Sequence, residues 1–357
     1  MIYLDAAAHE MPLPAAVDAF LKMQDLANPS SLHSEGRAAK SALEAARAAI
    51  ARCLNCEPNE VYFTSGATEA CNWMMCCLDA CSCSVGGIPR YEHHAVLEYP
   101  YAAPAVARGL EIGHTHMLAN NETGEIYDIE AMRKARHGLF ACDASAAVGQ
   151  IPVDFRALGI DYMAFGAHKF GGLSGIGALI VRDGLPITPM ICGGGQERGM
   201  RGGTESVALA CAMAAALEKR CETMYDDIAR IAKLRDEFIT EILRLVPDAY
   251  INGPWVVCDA SRRLPNNANI SFLGVESQSL VLALSNNGLC ASSGSACTSG
   301  NLEGSYVLRA MGLSEDRARS AVRFTLPYRI THGEVKQAVE IIVNTVFELR
   351  ALSPSHP

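Results

Sequence analysis

Two residues in this chain have the types and settings for covalent chemistry. The stretch Ser292-Ser293-Gly294-Ser295-Ala296-Cys297-Thr298-Ser299-Gly300 sets one cysteine among residues that support an exposed loop and have little to bury. Most cysteines are small buried hydrophobes, so a thiol displayed this way suits a travelling nucleophile. Upstream, Ala167-His168-Lys169-Phe170-Gly171-Gly172 puts a lysine beside a histidine in a glycine-rich turn after an apolar strand. A lysine able to form a Schiff base, paired with a mobile thiol, points to pyridoxal 5'-phosphate chemistry on a sulfur compound.

Four further features supply what such chemistry needs. Ser65-Gly66-Ala67-Thr68 turns a short strand into a helix, offering hydroxyls and the N–H groups of Gly66, Ala67 and Thr68 to a phosphate. An ordinary capped turn uses the same residues. Asp143, at a strand end, has the charge to pair with a pyridinium nitrogen; a helix cap is its plain alternative. His93, in Glu92-His93-His94, can stack on a ring and move protons. Arg323, in an apolar strand, can grip a carboxylate with two parallel hydrogen bonds, or serve a structural ion pair. Each feature is weak alone, and the set becomes specific only in combination and in order.

The elements that would hold these residues alternate in the α/β manner. Ser34 is expected to cap a helix with apolar residues at Ala38, Ala42, Ala45, Ala46, Ala49 and Ile50. Strands are expected at residues 61–63, 139–142, 161–165 and 177–181, with their functional groups at carboxyl ends, where open sheets bind ligands. A helical stretch follows from about Ser206 to Leu245, interrupted near Cys221, and then a region of smaller α+β character. The expected division is a large domain over 13–220 and a small domain over 221–357 joined by residues 1–12.

At 357 residues, two domains are the ordinary outcome. Half the residues are hydrophobic and 19% charged, which argues against global disorder. The net charge of −9 and the lack of any basic run argue against nucleic acid as a partner. No segment reads as a membrane span or secretory signal, so a cytoplasmic location is expected, with the 14 cysteines as reduced thiols. Cys53 and Cys56 form a C-x-x-C pair, and Cys76, Cys77, Cys81 and Cys83 cluster. No second C-x-x-C completes a four-ligand set, so packing is preferred over a metal site.

Taken in order, the motifs resemble the NifS/IscS-like cysteine desulfurases, class V aminotransferases with the fold-type I architecture: a large domain with a mostly parallel, seven-stranded-type sheet and a smaller α+β domain. The matching segments are Tyr3-Leu4-Asp5, Asn28-Pro29-Ser30-Ser31, Phe63 to Glu69, Glu92-His93, Asn120 to Gly124, Asp143-Ala144, His168-Lys169, Gly193 to Arg198 and the cysteine loop with Leu302-Glu303 and Ser305 to Ala310. The resemblance implies that Lys169 carries pyridoxal phosphate, His93 stacks on its ring and Asp143 bonds its nitrogen. It further implies that Thr68 and His168 bind the phosphate, Asn121 lies near the ring hydroxyl and substrate, and Arg323 holds the substrate carboxylate. Cys297 would accept sulfur from L-cysteine, leaving alanine, and pass it to an acceptor protein for iron–sulfur cluster or thio-cofactor assembly. Thr204 would reach the phosphate in a second subunit, which implies a homodimer.

Several positions depart from the pattern. Ala146 replaces a glutamine that bonds the ring hydroxyl, Gly166 a phosphate-binding serine, and Gly202 the serine of Arg-Ser-Gly-Thr. Ala8-His9-Glu10 replaces Ala-Thr-Thr, and the interval 94–119 is shortened. Each lost hydrogen bond would cost about 1–3 kcal/mol. These changes keep two other readings in play: a selenocysteine or C–S lyase acting by β-elimination, and a non-catalytic dimeric partner protein.

Overall fold

The computed structural model describes residues 1–80, 87–100, 113–257, 259–294 and 304–352. The chain divides into two compact units. One comprises Met11–Leu118 and Tyr127–Met224; the other comprises Met1–Glu10, Ala119–Ile126 and Tyr225–Pro357. The sequence reading kept residues 119–126 in the first domain. They belong with the second because Asn267 and Asn269 both donate side-chain N–H groups to the Glu122 carbonyl, at 3.1 and 3.2 Å.

The first unit is built on strands β2 (Val61–Thr64), β3 (His114–Thr115), β4 (Phe140–Asp143), β5 (Tyr162–Gly166) and β6 (Gly177–Val181). They form one sheet in the order β2-β6-β5-β4-β3. The β3–β4 and β4–β5 pairs are parallel, while β6 runs antiparallel to both β2 and β5. Strands β2, β3, β4 and β5 therefore point the same way, and their carboxyl ends share one edge. Strands β4, β5 and β6 are buried at every position, which is why they read as continuous apolar runs. The helix Ala67–Ala80 covers one face, placing Trp73, Met74, Met75 and Leu78 against Tyr162, Ala164 and Leu179.

His33, not Ser34, caps the next major helix, Ser34–Leu54: its ring Nδ1 accepts the Gly36 N–H at 3.2 Å. The helix stops at Asn55, whose φ of 53° lies in the left-handed region. Arg47 on this helix is fully buried and donates to both carboxylate oxygens of Glu197, at 2.8 and 2.9 Å. Phe63 N–H adds a third bond to Glu197, so the Gly193–Arg198 segment is locked to β2.

The second unit carries an antiparallel sheet of β10 (Ala321–Thr325), β8 (Asn267–Phe272) and β7 (Ala249–Ile251). Strand β1 (Ile2–Tyr3) pairs in parallel with β9 (Leu289–Cys290). Phe238, Ile242, Phe272, Leu280, Phe324 and Ile342 form its core. The helix Val207–Leu245 runs without the interruption expected near Cys221. It holds neither glycine nor proline, and Glu218, Lys219 and Glu222 beside Cys221 are good helix formers.

Candidate active site

Three strand ends deliver the first group of residues. Beyond β2, Ser65 and Gly66 lead into the helix Ala67–Ala80, whose first N–H groups have no partner within the helix. No atom lies within 4 Å of where a Cβ on Gly66 would stand, so the space before these groups is open. Thr68 is exposed on the first turn. Beyond β5, a 3-10 turn Ala167–Lys169 carries His168 and Lys169. A Cβ on Gly166 would lie 3.1 Å from the Ala67 nitrogen and 3.5 Å from His168 Nδ1. The helix start and the histidine ring thus meet over Gly166, where a side chain would be tightly held. Close approach of backbone accounts for the glycine at this departure.

At the end of β4, Asp143 is buried, its Oδ1 accepting the Ser145 N–H at 2.8 Å. Cys71, on the helix Ala67–Ala80, is fully buried near Asp143. Its thiol is pushed well up, chiefly by burial and then by the charges of Asp143 and Glu92. Lys169 acts on Cys71 with the opposite sign, so lysine and aspartate charges both reach this thiol.

His93 lies within reach of the same charges. Burial holds its ring below the ordinary histidine value, and the Lys169 ammonium lowers it further while Asp143 works against both. Its Nδ1 accepts the Ala95 N–H at 3.1 Å. The neutral ring therefore carries its proton on Nε2. Glu92, next in sequence, is fully buried, accepts the Met117 N–H at 2.5 Å, and is pushed up to about 8 by burial and then by Asp143.

The Lys169 carbonyl accepts from the Gln150 side chain at 2.6 Å. Ala146 is half-buried, and nothing in the structure explains its replacement of a glutamine. Glu69 holds Arg201 by two bonds, Nε–Oε1 at 2.9 Å and Nη2–Oε2 at 3.1 Å, and accepts the Ser65 N–H at 2.7 Å. Burial alone would raise the Glu69 carboxyl; bonds from Arg201 and Ser65 overcome it and hold it low. This clamp fixes the Arg201-Gly202-Gly203-Thr204 segment, on which Thr204 is exposed. A Cβ on Gly202 would stand 2.7 Å from the Gly193 nitrogen, so two backbones crossing at glycine explain that departure too.

Asn121 and Arg323 lie together in the second unit. Arg323 is 2% exposed, donating Nη1–H to the Asn121 carbonyl at 3.0 Å and Nη2–H to Asp5 Oδ1 at 2.9 Å. The structural ion pair weighed for this arginine is thus present. Its Nε and the Asn121 Oδ1 are buried without hydrogen-bond partners among the described residues. Beside them, Glu122 is fully buried; Ser305 Oγ donates to its Oε2 at 2.5 Å, and a Cβ on Gly294 would meet the carboxylate at 3.3–3.5 Å. Cys297 lies outside the described residues, but Gly294 and Ser305, on either side of its segment, both rest on Glu122.

The sequence reading gave no role to Cys71, Glu92, Glu69, Glu122 or Gln150. Only Glu69, Glu122 and Glu92 stood in quoted motifs, and nothing in residue type marks a buried carboxylate before the fold is known. Among the described residues, no group of three or more His, Cys, Asp or Glu is placed to hold a metal ion, and no helix is long and apolar enough to cross a membrane.

The aminotransferase class-V family matches residues 2–118 and 114–337. The cysteine desulfurase IscS of Dictyoglomus turgidum is 37% identical, covering 99% of this chain and 96% of its own. Among solved structures, the NifS-like protein of Rickettsia africae superimposes with a TM-score of 0.85 at 29% identity, over 98% of this chain and 99% of that one. SspA in complex with cysteine matches with a TM-score of 0.74 at 27% identity, over 93% of this chain and 100% of that one. The chain belongs to the class-V aminotransferase family, among its NifS/IscS-like cysteine desulfurases.

Proposed function

We propose that this protein is a pyridoxal phosphate-dependent cysteine desulfurase, which takes the sulfur of L-cysteine onto Cys297, releases alanine and passes the sulfur to an acceptor protein. The observation that carries the reading is the shared sheet edge. Parallel β2, β4 and β5 end at the open helix N-terminus, at Asp143 and at Lys169, and His93 responds to the charges of the last two. This donor set fits a phosphorylated pyridine aldehyde. The Ala67 and Thr68 N–H groups with His168 suit the phosphate, Asp143 a ring N–H, and Lys169 the aldehyde carbon.

Once bound, pyridoxal phosphate withdraws electrons from the skeleton of an attached amino acid, the activation a carbon–sulfur bond needs in order to break. The protein's residues do the rest. Asp143 would meet the ring nitrogen, with the Ser145 N–H orienting its carboxylate. His93, neutral and protonated at Nε2, is suited to hand a proton on and receive it back. Gln150 fixes the main chain of Lys169. Arg323, whose buried Nε–H is still open to a partner, suits the substrate carboxylate, while the open Asn121 Oδ1 is an acceptor and suits a donor such as the ring hydroxyl. In the transfer, the substrate's Cβ–S bond breaks and a sulfur–sulfur bond forms at Cys297. The thiol proton of Cys297 ends on alanine, so one cysteine and one thiol give one alanine and one persulfide.

The relatives named cysteine desulfurase and the neighbour complexed with cysteine support this substrate. An iron–sulfur or thio-cofactor acceptor, a cytoplasmic location and a homodimer completed by Thr204 belong to the same reading. The test is product analysis with L-cysteine. Alanine formation should accompany a persulfide on Cys297, and Cys297→Ser should abolish both persulfide and sulfur transfer. Undiminished transfer by Cys297→Ser would refute the role of this thiol. Equal turnover of substrates with non-thiol leaving groups would favour β-elimination instead.

A further inference from the structure

We propose that Asn72 is a positioning residue for His93: its side-chain amide staples the one-turn helix that opens at His93 to the first turn of the helix Ala67–Ala80. The proposal rests on the desulfurase reading above, in which His93 moves protons and the Ala67–Ala80 N-terminus receives the phosphate. Asn72 itself has no part in that reading.

One nitrogen serves two main-chain carbonyls. Asn72 Nδ2 donates to the Thr68 carbonyl at 2.9 Å and to the Ala95 carbonyl at 3.2 Å. An amide nitrogen carries two hydrogens, so both bonds stand together. The first is a local bond, four residues back along the same helix. The second reaches the segment that carries His93. A single half-buried side chain thus joins the two places where the cofactor's phosphate and its ring are expected.

The histidine segment needs such a tie. The helix His94–Leu97 is four residues long, far below what holds as a helix by itself. His93 caps it, with Nδ1 accepting the Ala95 N–H at 3.1 Å, so the ring and the Ala95 main chain are oriented as a unit. At the other end, the Glu98 N–H bonds the His94 carbonyl and the Tyr99 N–H the Val96 carbonyl. Neither closes on the Ala95 carbonyl. Asn72 supplies the donor that a longer helix would provide from its own next turn.

Packing does not replace this bond. Ala95 and Val96 share a buried apolar cluster with Trp73 and Met74, which sets how deep the segment lies. Apolar contact has no direction, whereas hydrogen bonds do. The bonds on the Ala95 N–H and carbonyl fix the angle at which the His93 ring is presented. Position 72 therefore calls for an amide. Aspartate has the same shape but no hydrogen to donate, and would set oxygens against two carbonyls.

The experiment labels the histidines of the holoenzyme with 15N and assigns His93 from the His93→Ala variant. The native ring should show two well-separated shifts, from a protonated Nε2 and a bare Nδ1. Asn72→Ala should draw them together as the two tautomers mix. With L-cysteine, Asn72→Ala should lower kcat about ten-fold, with KM and the cofactor absorbance unchanged. Asn72→Asp should fall at least as far; should it not fold, Asn72→Ala carries the test, since alanine favours helix. In a His93→Ala background, Asn72→Ala should cost no more than about two-fold, because both residues act on one step. Unmoved His93 shifts in Asn72→Ala, or losses that multiply in the double variant, would make Asn72 an ordinary structural staple and overturn the proposal. Shifts that move in a protein whose wild type forms no alanine would sink the desulfurase reading and leave the staple standing.

Discussion

The edge of the five-stranded sheet and the Asn121–Arg323 group in the other unit meet similar demands in different ways. At the sheet edge, the main chain does most of the positioning: strand direction alone brings Gly66, Asp143 and Lys169 to one side, and close glycine contacts shape the space. In the other unit, positioning rests on buried side chains. Arg323 is held by Asp5 and a main-chain carbonyl, and Glu122 by Ser305, with asparagines reaching its backbone. A site set by main chain tolerates neighbouring substitutions, whereas one set by a buried polar network fails when any single member is removed.

Substitutions at the two regions should separate cleanly. Asp143→Ala should have the largest effect, lowering kcat with L-cysteine on the order of 10²–10³-fold, as loss of an electrostatic partner at a reacting group does. The altered absorbance of the bound cofactor would report the same loss without turnover. Arg323→Ala should act differently. It strands Asp5 without its partner, costing about 3–5 kcal/mol in denaturant unfolding, and raises KM while the cofactor spectrum stays unchanged. A normal KM would return Arg323 to a purely structural role.

Glu92 offers a sharper probe of the sheet edge, because its carboxyl moves from an ordinary 4.5 up to about 8 in the fold. Between those values the unfolded chain releases a proton that the folded protein keeps. Stability should therefore fall as pH rises from about 4.5 to about 8 and level off above. Glu92→Gln should flatten that part of the profile in thermal melts across pH. A slope that survives the substitution would mean another group is responsible.

The smallest effect is expected from Glu69→Gln. Losing one charge-assisted clamp on Arg201, worth about 1.5–3 kcal/mol, should weaken cofactor retention about ten-fold in equilibrium dialysis. An unchanged KM would be the sign that the disturbance stays within the sheet unit.

The same contrast explains what could be read from the sequence. Lys169, Asp143 and the Ser65–Thr68 turn were legible because each follows a short apolar strand, and strand ends are where such sheets act. The expected cap Ser34 gave way to His33 because an imidazole nitrogen can accept where a hydroxyl is usual. The break expected near Cys221 is absent because the polar residues beside it favour helix. Residues 119–126 could not be assigned to the second unit, because asparagine side chains bonding a distant carbonyl leave no periodic trace. Glycines at 166 and 202 looked like losses; in the fold they permit backbone contact.

The central claim is that Lys169 bears the cofactor at the sheet edge. Borohydride reduction of the cofactor-loaded protein, followed by peptide mapping, tests it most directly. The account predicts a phosphopyridoxyl group on Lys169 alone, lost together with the bound chromophore in Lys169→Ala. A label on any other lysine, or a chromophore that persists in Lys169→Ala, would contradict it.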